Sequence, residues 1–377
     1  MLQHPHKAQI MNRIRRVVVK VGSSTLSGAS GIQRESISTI AKHLAALHAS
    51  GKEVVLVTSG AVAAGMSRLG LQGRPKTIPA KQAAAAVGQI TLMALYEADF
   101  SAHHIRVAQI LLTHDDLANR KRYLNAKHTV RTLLEAQVIP IVNENDTVAV
   151  EEIQLGDNDN LSAQVAVLIE ADLLVILSDV AGLYDKDPRI YHDAFLCSLI
   201  EHFDDALLAS GGEAGPLGRG GMASKLQAAH KAAQSGIPTI ITDGRNKETL
   251  ARVFDASVDI GTLFLPVADR LTSRKHWIAY TLKPAGTLVV DAGASLAIRE
   301  HGRSLLPPGI QEVQGVFDEG ECVTCIDESG KVFARGLVNY NSYALSQIKG
   351  TRTSQIEQIL GYKVGDEVIH RDDLALL

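Results

Sequence analysis

A glycine cluster that runs directly into a predicted helix is the first stretch of this sequence whose residue types suggest chemistry. Gly218, Gly220 and Gly221 precede a run of good helix formers from Met222 onward. Glycine lets the backbone approach a ligand closely, and the first helical turn offers unpaired N–H groups, so this junction is suited to bind an anion such as phosphate. Lys225 lies in the first turn and can reach the same phosphate. A flexible surface loop before an ordinary helix is the alternative interpretation.

Polar residues also follow four predicted strands at the point where each strand ends. In a parallel α/β sheet the carboxyl ends of the strands border one crevice, where such sheets bind ligands. Any one of these clusters alone is compatible with a turn or a helix cap, but their recurrence at one edge predicts an active site. The clusters are Lys20 with Gly22, Ser59 with Gly60, Asn143–Asp146, and Ser178 with Asp179, while Asp157–Asn160 and the glycine cluster open helices.

Side chains of these types can bind a phosphate, a metal ion and a polar substrate in one site. Lysines hold phosphates, carboxylates hold Mg²⁺, and amide and hydroxyl groups bind polar substrates. No Ser-His-Asp order or redox cysteine stands out, and the 14 histidines show no metal spacing such as HExxH. Cys322 and Cys325 form one CxxC pair. Positions three apart on a strand point to opposite faces, which argues against a zinc site there.

The elements that must position these clusters alternate between strand and helix. This alternation predicts a mostly parallel sheet with helices on both faces and right-handed crossovers. Up to about Pro266 the pattern fits one α/β domain. The predicted strands are Arg16–Val21, Glu53–Thr58, Val107–Leu112, Val138–Val142, Asp172–Leu177, Phe195–Ile200 and Ile237–Thr242. The predicted helices are Gln33–Ser50, Ala80–Ala102, Asn119–Ala136, Leu161–Ile169 and Met222–Gln234.

The composition changes after Arg270, where a second domain is predicted. From Ala285 onward the segments are short and β-like, and turn residues separate them. We therefore expect an α/β domain over 1–270, then a linker and a small β-rich domain over 271–377. The linker, Leu271–Pro284, contains the only tryptophan, Trp277, and is expected to bridge the two domains. The β-like segments are TLVVD, SLAI, IQEVQGVF, ECVTCID and KVFARGLV.

Composition argues against several classes of protein. The chain has 377 residues, 46% of them hydrophobic, which suits two or three globular domains. A net charge of −3 provides no electrostatic footprint for nucleic acid. No apolar run is long enough to span a bilayer, and Met1–Arg16 has no signal-peptide core. The 3 cysteines argue against a disulfide framework, so we expect a cytoplasmic protein without membrane or nucleic-acid partners.

Six ordered motifs resemble those of the amino-acid kinase superfamily, and within it the glutamate kinases. The resemblance covers nearly the whole chain, although Met1–Asn12 has no motif counterpart. Ser178 stands where many members have Thr, a change that keeps the hydroxyl. The tail, including SLLPPGI (Ser304–Ile310), resembles the PUA domain found on many bacterial members. The motifs are VVVKVGSS (Val17–Ser24), VTSGAVAAG (Val57–Gly65), VNENDTVA (Val142–Ala149), GDNDNLSA (Gly156–Ala163), AGLYDKDPR (Ala181–Arg189) and GRGGMASK (Gly218–Lys225).

The resemblance implies a kinase that uses ATP and Mg²⁺ to phosphorylate the γ-carboxylate of L-glutamate. The product would be L-glutamate 5-phosphate, an acyl phosphate, in the first step of proline biosynthesis. Lys20 and Lys225 would contact the transferring phosphoryl group, and Asp159 would organise both lysines. Gly60 would offer its N–H near the reacting oxygens. A carboxylate is already ionised at neutral pH, so this chemistry needs positioning and electrostatic stabilisation rather than a general base.

The resemblance also implies how the substrates bind and how the enzyme is controlled. Ser59, Asp146 and Asn158 would bind L-glutamate. Feedback inhibition by proline and a homo-oligomer, a dimer or a tetramer, are implied as well. No side chain is identified for Mg²⁺. The nucleotide would contact Lys20, Ser178, Asp179, Gly218, Arg219, Gly220, Gly221, Met222, Ala223 and Ser224.

Two alternative functions stay open at this point. A kinase of the same superfamily could act on another acceptor, such as carbamate, N-acetylglutamate or a nucleoside monophosphate. The VNENDTVA motif and the PUA-like tail favour glutamate. PUA domains also occur in RNA-modifying enzymes, which raises an RNA-binding function. The negative net charge and the lack of a concentrated basic stripe argue against RNA.

Overall fold

The computed structural model describes residues 5–28, 31–71, 73–149, 158–203, 207, 221–266, 275, 278–279 and 282–377 of the chain. The chain divides into two units, Met1–Ala268 and Asp269–Leu377. Each unit has its own sheet and its own hydrophobic core. Within these ranges, no helix combines the length and the apolar character that crossing a membrane requires.

Eight strands form one sheet across the first unit. They are β1 (Arg16–Val21), β4 (Glu53–Val57), β5 (Arg106–Leu112), β6 (Val138–Glu144), β7 (Leu173–Ser178), β8 (Leu199–Ile200), β9 (Thr239–Asp243) and β10 (Thr262–Phe264), while β2 (Ser27–Gly28) and β3 (Gly31–Ile32) pair separately. The order in the sheet is β5-β6-β4-β1-β7-β9-β10-β8. The first six strands in this order are parallel, whereas β10 is antiparallel to β9 and β8 is parallel to β10.

Helices cover both faces of this sheet. The helices of the first unit are α1 (Pro5–Arg13), α2 (Ser23–Leu26), α3 (Arg34–Ala49), α4 (Ala61–Arg68), α5 (Ile78–Ser101), α6 (His114–Ala118), α7 (Arg120–Glu135), α8 (Asn158–Leu168), α9 (Met222–Gln234) and α10 (Thr249–Phe254). Apolar side chains of α3, α5 and α10 pack in one core, and those of α7, α8 and α9 pack in the other. The sheet therefore lies between two helical layers.

The central strand β1 is buried on both faces because its side chains alternate between the two cores. Val17, Val19 and Val21 pack in the core beneath α3 and α5, whereas Val18 packs in the core beneath α8 and α9. Successive side chains of a strand point to opposite faces, so Lys20 lies on the same face as Val18. The lysine is thereby placed on the side of the sheet that α8 and α9 cover.

Polar contacts at the amino ends of the strands hold β1 in register. Asp172 Oδ2 accepts the backbone N–H groups of Arg15 and Arg16 at 2.9 and 2.8 Å. Arg16 also forms an ion pair with Glu53 at 2.6 Å and donates to the carbonyl oxygen of Ile169. These contacts join the start of β1 to the starts of β4 and β7. They therefore help to keep the carboxyl ends of the three strands level.

Helices α4 and α5 pack so closely that each presents a glycine to the other. A Cβ atom at Gly88 would lie 1.8 Å from the Ala61 carbonyl oxygen, and one at Gly65 would lie 1.7 Å from the Ala84 carbonyl oxygen. Neither glycine has a positive φ, so space rather than backbone conformation requires glycine here. The contact fixes the start of α4, directly after Gly60, against the middle of α5.

The second unit contains a five-stranded sheet in the order β12-β11-β13-β14-β15. Its strands are β11 (Gly286–Val290), β12 (Ile310–Gly315), β13 (Cys322–Ile326), β14 (Val332–Leu337) and β15 (Leu374–Leu376). Its helices are α11 (Ala292–His301), α12 (Ser342–Ile348) and α13 (Ile356–Leu360). Cys325 packs in the main core of this unit and Cys322 in a smaller apolar cluster, so the two thiols lie on opposite faces of β13.

The prediction of a β-like segment at SLAI (Ser295–Ile298) is wrong, because these residues lie within α11. The Asp291 carboxylate caps this helix by accepting the Ala294 N–H at 2.7 Å. Gly302 ends it in the left-handed conformation, with φ of 57°. A capping aspartate and a terminating glycine delimit a helix, and these signals outweigh the apolar character of the segment between them.

The predicted strand Phe195–Ile200 is too long, since only Leu199–Ile200 is a strand. The Cys197 N–H instead donates to the Leu183 carbonyl oxygen at 2.8 Å, and Leu196 forms an isolated bridge with Tyr184. Pairing with this preceding segment draws the chain away from the sheet. Most of the predicted linker, including Trp277, lies outside the described residues.

Substitution of Gly88 by alanine is expected to destabilise the protein. At an open helical site this change usually adds up to about 1 kcal/mol of stability. At Gly88 the new Cβ would overlap a carbonyl oxygen, so we expect a loss of about 1–3 kcal/mol in urea unfolding. Gly73→Ala is the control, because a Cβ at Gly73 would meet no heavy atom within 4 Å. Equal stability of the two variants would contradict the close packing of α4 on α5.

Candidate active site

One buried carboxylate contacts two lysine ammonium groups at the carboxyl edge of the large sheet. Lys20 Nζ lies 2.6 Å from Asp159 Oδ1, and Lys225 Nζ lies 3.1 Å from Asp159 Oδ2. All three side chains are buried. They come from the end of β1, the first turn of α8 and the first turn of α9. Three site residues predicted from separate motifs therefore lie in direct contact.

Ser224 adds a hydroxyl group to this ion cluster. Its Oγ lies 2.8 Å from Asp159 Oδ2 and 3.0 Å from the Gly221 carbonyl oxygen, so the hydroxyl can donate to either. Gly221 is the N-cap of α9 and Ser224 lies in its first turn. The start of α9 is therefore tied to the carboxylate by Ser224 as well as by Lys225.

The lysines keep Asp159 ionised despite its complete burial. Burial by itself would raise the pKa of this carboxyl group, because a charge is poorly solvated in the interior. Lys20, Lys225 and the Ser224 hydroxyl outweigh that effect and lower the pKa to about 2. Two ammonium groups thus face one carboxylate. The cluster is therefore suited to meet an anionic ligand.

Glycines border the cluster at two strand ends. Gly60 follows β4 with φ of 105°, a conformation that L side chains rarely adopt, and a Cβ there would lie 2.9 Å from Ile32 Cδ1. A Cβ at Gly22 would lie 3.4 Å from Lys20 Nζ. Glycine therefore keeps the backbone turn possible after β4 and keeps the space beside the Lys20 ammonium open.

Two helices begin at glycine on this edge of the sheet. The N-cap residue of α4 is Gly60 and that of α9 is Gly221, and neither has a side chain that could accept a first-turn N–H. First-turn N–H groups without a capping side chain can pair with water or with a bound anion. Met222 and Ala223, predicted as nucleotide contacts, form the first turn of α9. Gly218, Arg219 and Gly220 lie outside the described residues.

Asn158, the first residue of α8, joins three segments next to the ion cluster. Its Nδ2 lies 2.8 Å from the Thr58 carbonyl oxygen, 2.7 Å from Ser59 Oγ and 3.1 Å from Asn143 Oδ1. Its Oδ1 is buried, and within the described part of the chain this oxygen has no hydrogen-bond partner. The structure thus brings the predicted residues Ser59 and Asn158 together and leaves an acceptor beside them.

Asp146 lies in the turn that follows β6, two residues beyond the end of the strand, and is half-buried. The neighbouring Asn145 holds this turn, because its N–H donates to the Leu112 carbonyl at 3.0 Å and its carbonyl accepts the Val148 N–H at 3.1 Å. Asp146 therefore belongs to the loop that follows the strand carrying Asn143.

Ser178 and Asp179 occupy the end of β7. Ser178 is buried and its Oγ lies 3.2 Å from Asp179 Oδ1, whereas Asp179 is exposed. Ser178 pairs in register with Asp243 of β9. Asp243 accepts two bonds from the Arg245 guanidinium, at 3.0 and 3.1 Å. Arg245 belongs to none of the six motifs, so the resemblance does not identify it.

Asn143 and Gln89 are two amide side chains near Asn158 whose sequence context does not predict a role in the site. Asn143 belongs to a polar cluster at a strand end, but the motif does not assign it a role. Gln89 is one glutamine in the long Ala-rich helix α5. Asn143 Nδ2 donates to Gln89 Oε1 at 2.8 Å. Helical periodicity predicts that position 89 is buried, but it cannot predict the polar partner, which lies on β6.

Metal binding by protein ligands alone has no candidate in the described part of the chain. No group of three or more His, Cys, Asp or Glu side chains there is arranged to hold a metal ion. The two oxygens of Asp159 both contact lysine ammonium groups.

Comparisons with known proteins give a family match for each of the two units. The amino acid kinase family model matches residues 15–243, and the PUA domain model matches residues 286–360. The glutamate 5-kinase of Geobacter sp. (strain M21) is 51% identical over 373 residues, which covers 98% of this chain and 100% of that protein. The glutamate 5-kinase of Caldanaerobacter subterraneus subsp. tengcongensis is 50% identical over 364 residues, with coverage of 96% and 98%.

Similarity to solved structures is lower. The UMP kinase from Bacillus anthracis is 16% identical, with a TM-score of 0.47, over 68% of this chain and 97% of that chain. The family models and the curated relatives are therefore the informative comparisons.

Replacement of Asp159 by asparagine is expected to destabilise the protein strongly. Asparagine has the same shape but no charge, so two buried ammonium groups would lose their counter-ion. Breaking a buried ion pair in this way typically costs about 3–5 kcal/mol, which urea unfolding at pH 7 would detect. Asp115→Asn is the control, because Asp115 is an exposed aspartate on α6, and its effect should stay below about 0.5 kcal/mol.

The loss of stability caused by Asp159→Asn should also depend on pH in a defined direction. The pKa of Asp159 is lowered in the folded state, so its stabilising contribution is complete above the unfolded pKa of about 3.9. This contribution disappears as the pH falls from there towards 2. The stability difference between the unaltered protein and Asp159→Asn should therefore shrink below about pH 4. A difference that stays constant across this range would contradict an ionised Asp159.

Proposed function

Because the chain belongs to the amino acid kinase family, we propose that it transfers the γ-phosphoryl group of ATP to the γ-carboxylate of L-glutamate. Its relatives at about half identity are named glutamate 5-kinases. The observation that carries the proposal is the pair of buried lysines that share the Asp159 carboxylate at the carboxyl edge of the sheet. Two ammonium groups in a buried site suit a reaction in which negative charge moves between phosphoryl oxygens.

The proposed reaction needs no proton acceptor. An oxygen of the γ-carboxylate attacks the γ-phosphorus of ATP while the bond to the β,γ-bridging oxygen breaks, and ADP leaves. Lys20 and Lys225 stabilise the charge on the phosphoryl oxygens, and Asp159 holds the two ammonium groups in place. The N–H of Gly60 donates to a reacting oxygen. Rate enhancement then comes from positioning and from fixed positive charge.

The proposed glutamate site consists of Ser59, Asp146 and Asn158. The Oδ1 of Asn158, which has no hydrogen-bond partner among the described residues, is an acceptor suited to the α-ammonium group of an amino acid. Asp146 adds a carboxylate on the loop after β6, and Ser59 offers a hydroxyl group beside Asn158. A zwitterionic substrate fits a site that provides both a carboxylate and polar donors.

The proposed nucleotide site consists of Ser178, Asp179 and the segment 218–224. A triphosphate fits the start of α9, because this helix begins at a glycine and carries Lys225 in its first turn. Mg²⁺, when bound with ATP, neutralises phosphate charge. Phosphate oxygens of the nucleotide and water are ligands of the kind that Mg²⁺ prefers.

The proposal extends to the location, the oligomeric state and the regulation of the enzyme. We infer a cytoplasmic homo-oligomer, a dimer or a tetramer, that catalyses the first step of proline biosynthesis and is inhibited by proline. The resemblance of the six motifs to those of glutamate kinases supports these properties, together with the name that the relatives share.

Glutamate phosphorylation is tested by ATP turnover of the full chain in the presence of hydroxylamine. Acyl phosphates react with hydroxylamine, so we expect ADP release that depends on L-glutamate and is matched by hydroxamate formation. Aspartate, N-acetylglutamate, carbamate and UMP should support turnover at least about tenfold more slowly. Equal or faster turnover with one of these acceptors would contradict the proposal that glutamate is the specific substrate. ADP release without hydroxamate would exclude an acyl phosphate product.

Removal of either lysine is expected to slow turnover more than it weakens glutamate binding. Loss of one group that stabilises developing charge typically lowers kcat by about 10²–10³, and we expect this for Lys20→Ala and for Lys225→Ala. Arginine should rescue poorly, because its planar fork replaces a compact ammonium. Lys42→Ala, at an exposed position on α3, is the control. Near-normal kcat in a folded Lys20 or Lys225 variant would remove that lysine from the mechanism.

A further inference from the structure

Three amide side chains, Gln89, Asn143 and Asn158, form a hydrogen-bonded amide chain that ends beside Ser59. Asn158 Nδ2 lies 3.1 Å from Asn143 Oδ1, and Asn143 Nδ2 lies 2.8 Å from Gln89 Oε1. All three residues are buried. They belong to α5, β6 and α8, so the amide chain connects three elements of the fold.

The amide chain has a direction, because each amide donates from its nitrogen and accepts at its oxygen. The bonds run from Asn158 to Asn143 and from Asn143 to Gln89. Asn158 is left with a buried Oδ1 and Gln89 with a buried Nε2, and neither atom has a hydrogen-bond partner among the described residues. Buried polar atoms without partners are rare and destabilising, so their presence at both ends indicates a role other than stability.

Gln89 Oε1 and the Thr58 carbonyl oxygen are the acceptors that fix the direction of the amide chain, one at each end. Gln89 Oε1 accepts from the Asn143 nitrogen, which turns the Asn143 oxygen towards Asn158. If the Asn143 amide turned over, its nitrogen would face the Asn158 nitrogen, and two donors would oppose each other. Asn143 and the Thr58 carbonyl thus hold the Asn158 nitrogen from two sides, and the Asn158 oxygen is the atom left for a ligand.

The backbone next to Gln89 packs closely against α4. Gly88 precedes Gln89, and a Cβ at Gly88 would lie 1.8 Å from the Ala61 carbonyl oxygen of α4. Packing this close leaves little freedom for α5 to shift along α4. Because α4 begins directly after Gly60, this packing places the backbone at position 89 near the turn that carries Ser59 and Gly60.

We propose that Gln89 is a positioning residue for the acceptor site. It acts through Asn143 to orient Asn158, so that the Asn158 oxygen faces the ammonium group of a free amino acid. This inference rests on the proposed phosphorylation of glutamate and adds a basis for its specificity. A substrate with a charged ammonium group makes a stronger hydrogen bond to this oxygen than a substrate whose nitrogen is acylated.

Two variants at position 89 separate orientation from simple burial. Gln89→Met keeps the length of the side chain but removes both polar atoms, whereas Gln89→Glu keeps an oxygen that can accept from Asn143. We expect Gln89→Met to raise the KM for L-glutamate roughly tenfold, with the KM for ATP within about twofold of normal. Gln89→Glu should keep the KM for L-glutamate within about threefold of normal.

Tyr96→Phe is the matched control on the same helix. Tyr96 is buried and its hydroxyl lies 2.9 Å from Thr58 Oγ1, so the change removes one buried hydrogen bond without touching the amide chain. Both KM values of Tyr96→Phe should stay within about twofold of normal. A rise in its glutamate KM equal to that of Gln89→Met would show that any lost hydrogen bond on α5 disturbs the site, and would overturn the proposal.

The full chain without substitutions is assayed first. Lack of glutamate-dependent turnover in this protein would contradict the proposed function before any variant is compared. If it turns over glutamate, the inference requires both a glutamate-specific rise in KM for Gln89→Met and recovery in Gln89→Glu. Any other pair of results, including equal rises in both KM values, would overturn the role of Gln89 and leave the proposed function intact.

Discussion

Two lysine ammonium groups held by one buried carboxylate are the interaction on which the rest of the site depends. Burial raises the pKa of Asp159, and its contacts with Lys20, Lys225 and Ser224 lower that pKa to about 2. Each partner makes the burial of the others possible, because an unpaired charge in the interior is strongly destabilising. Two ammonium groups at this edge also suit the binding of an anion. The same arrangement therefore links the stability of this region to phosphate chemistry.

The fold assembles this cluster from three distant parts of the sequence. Alternation along β1 directs Lys20 to the face that α8 and α9 cover, and both helices begin at the edge where β1 ends. Asp159 and Lys225, each in a first helical turn, meet Lys20 there. A shift of β1 by one residue would turn Lys20 into the core beneath α3 and α5. The contacts of Asp172 at the opposite edge oppose such a shift.

Local patterns in the sequence predict the framework, but not the contacts that cross it. Strand and helix alternation predicts the mostly parallel sheet, and six motifs predict the kinase family; the fold and the comparisons confirm both. The apolar run at Ser295–Ile298 misleads because Asp291 and Gly302 set the helix ends. Gln89 carries no signal, since its partner Asn143 is 54 positions away and only the fold joins them. The roles of individual residues, Asp146 among them, stay predictions.

The claim that Lys20 and Lys225 act as one unit is tested most directly by the kcat of the Lys20→Ala/Lys225→Ala double variant, measured beside both single variants. If both ammonium groups stabilise one phosphoryl group and are held by a shared carboxylate, removal of either one already loses most of the rate enhancement that the pair provides. The double variant should then lose little more than the worse single variant. A loss equal to the product of the two single losses would show that the lysines act independently, and would contradict this account.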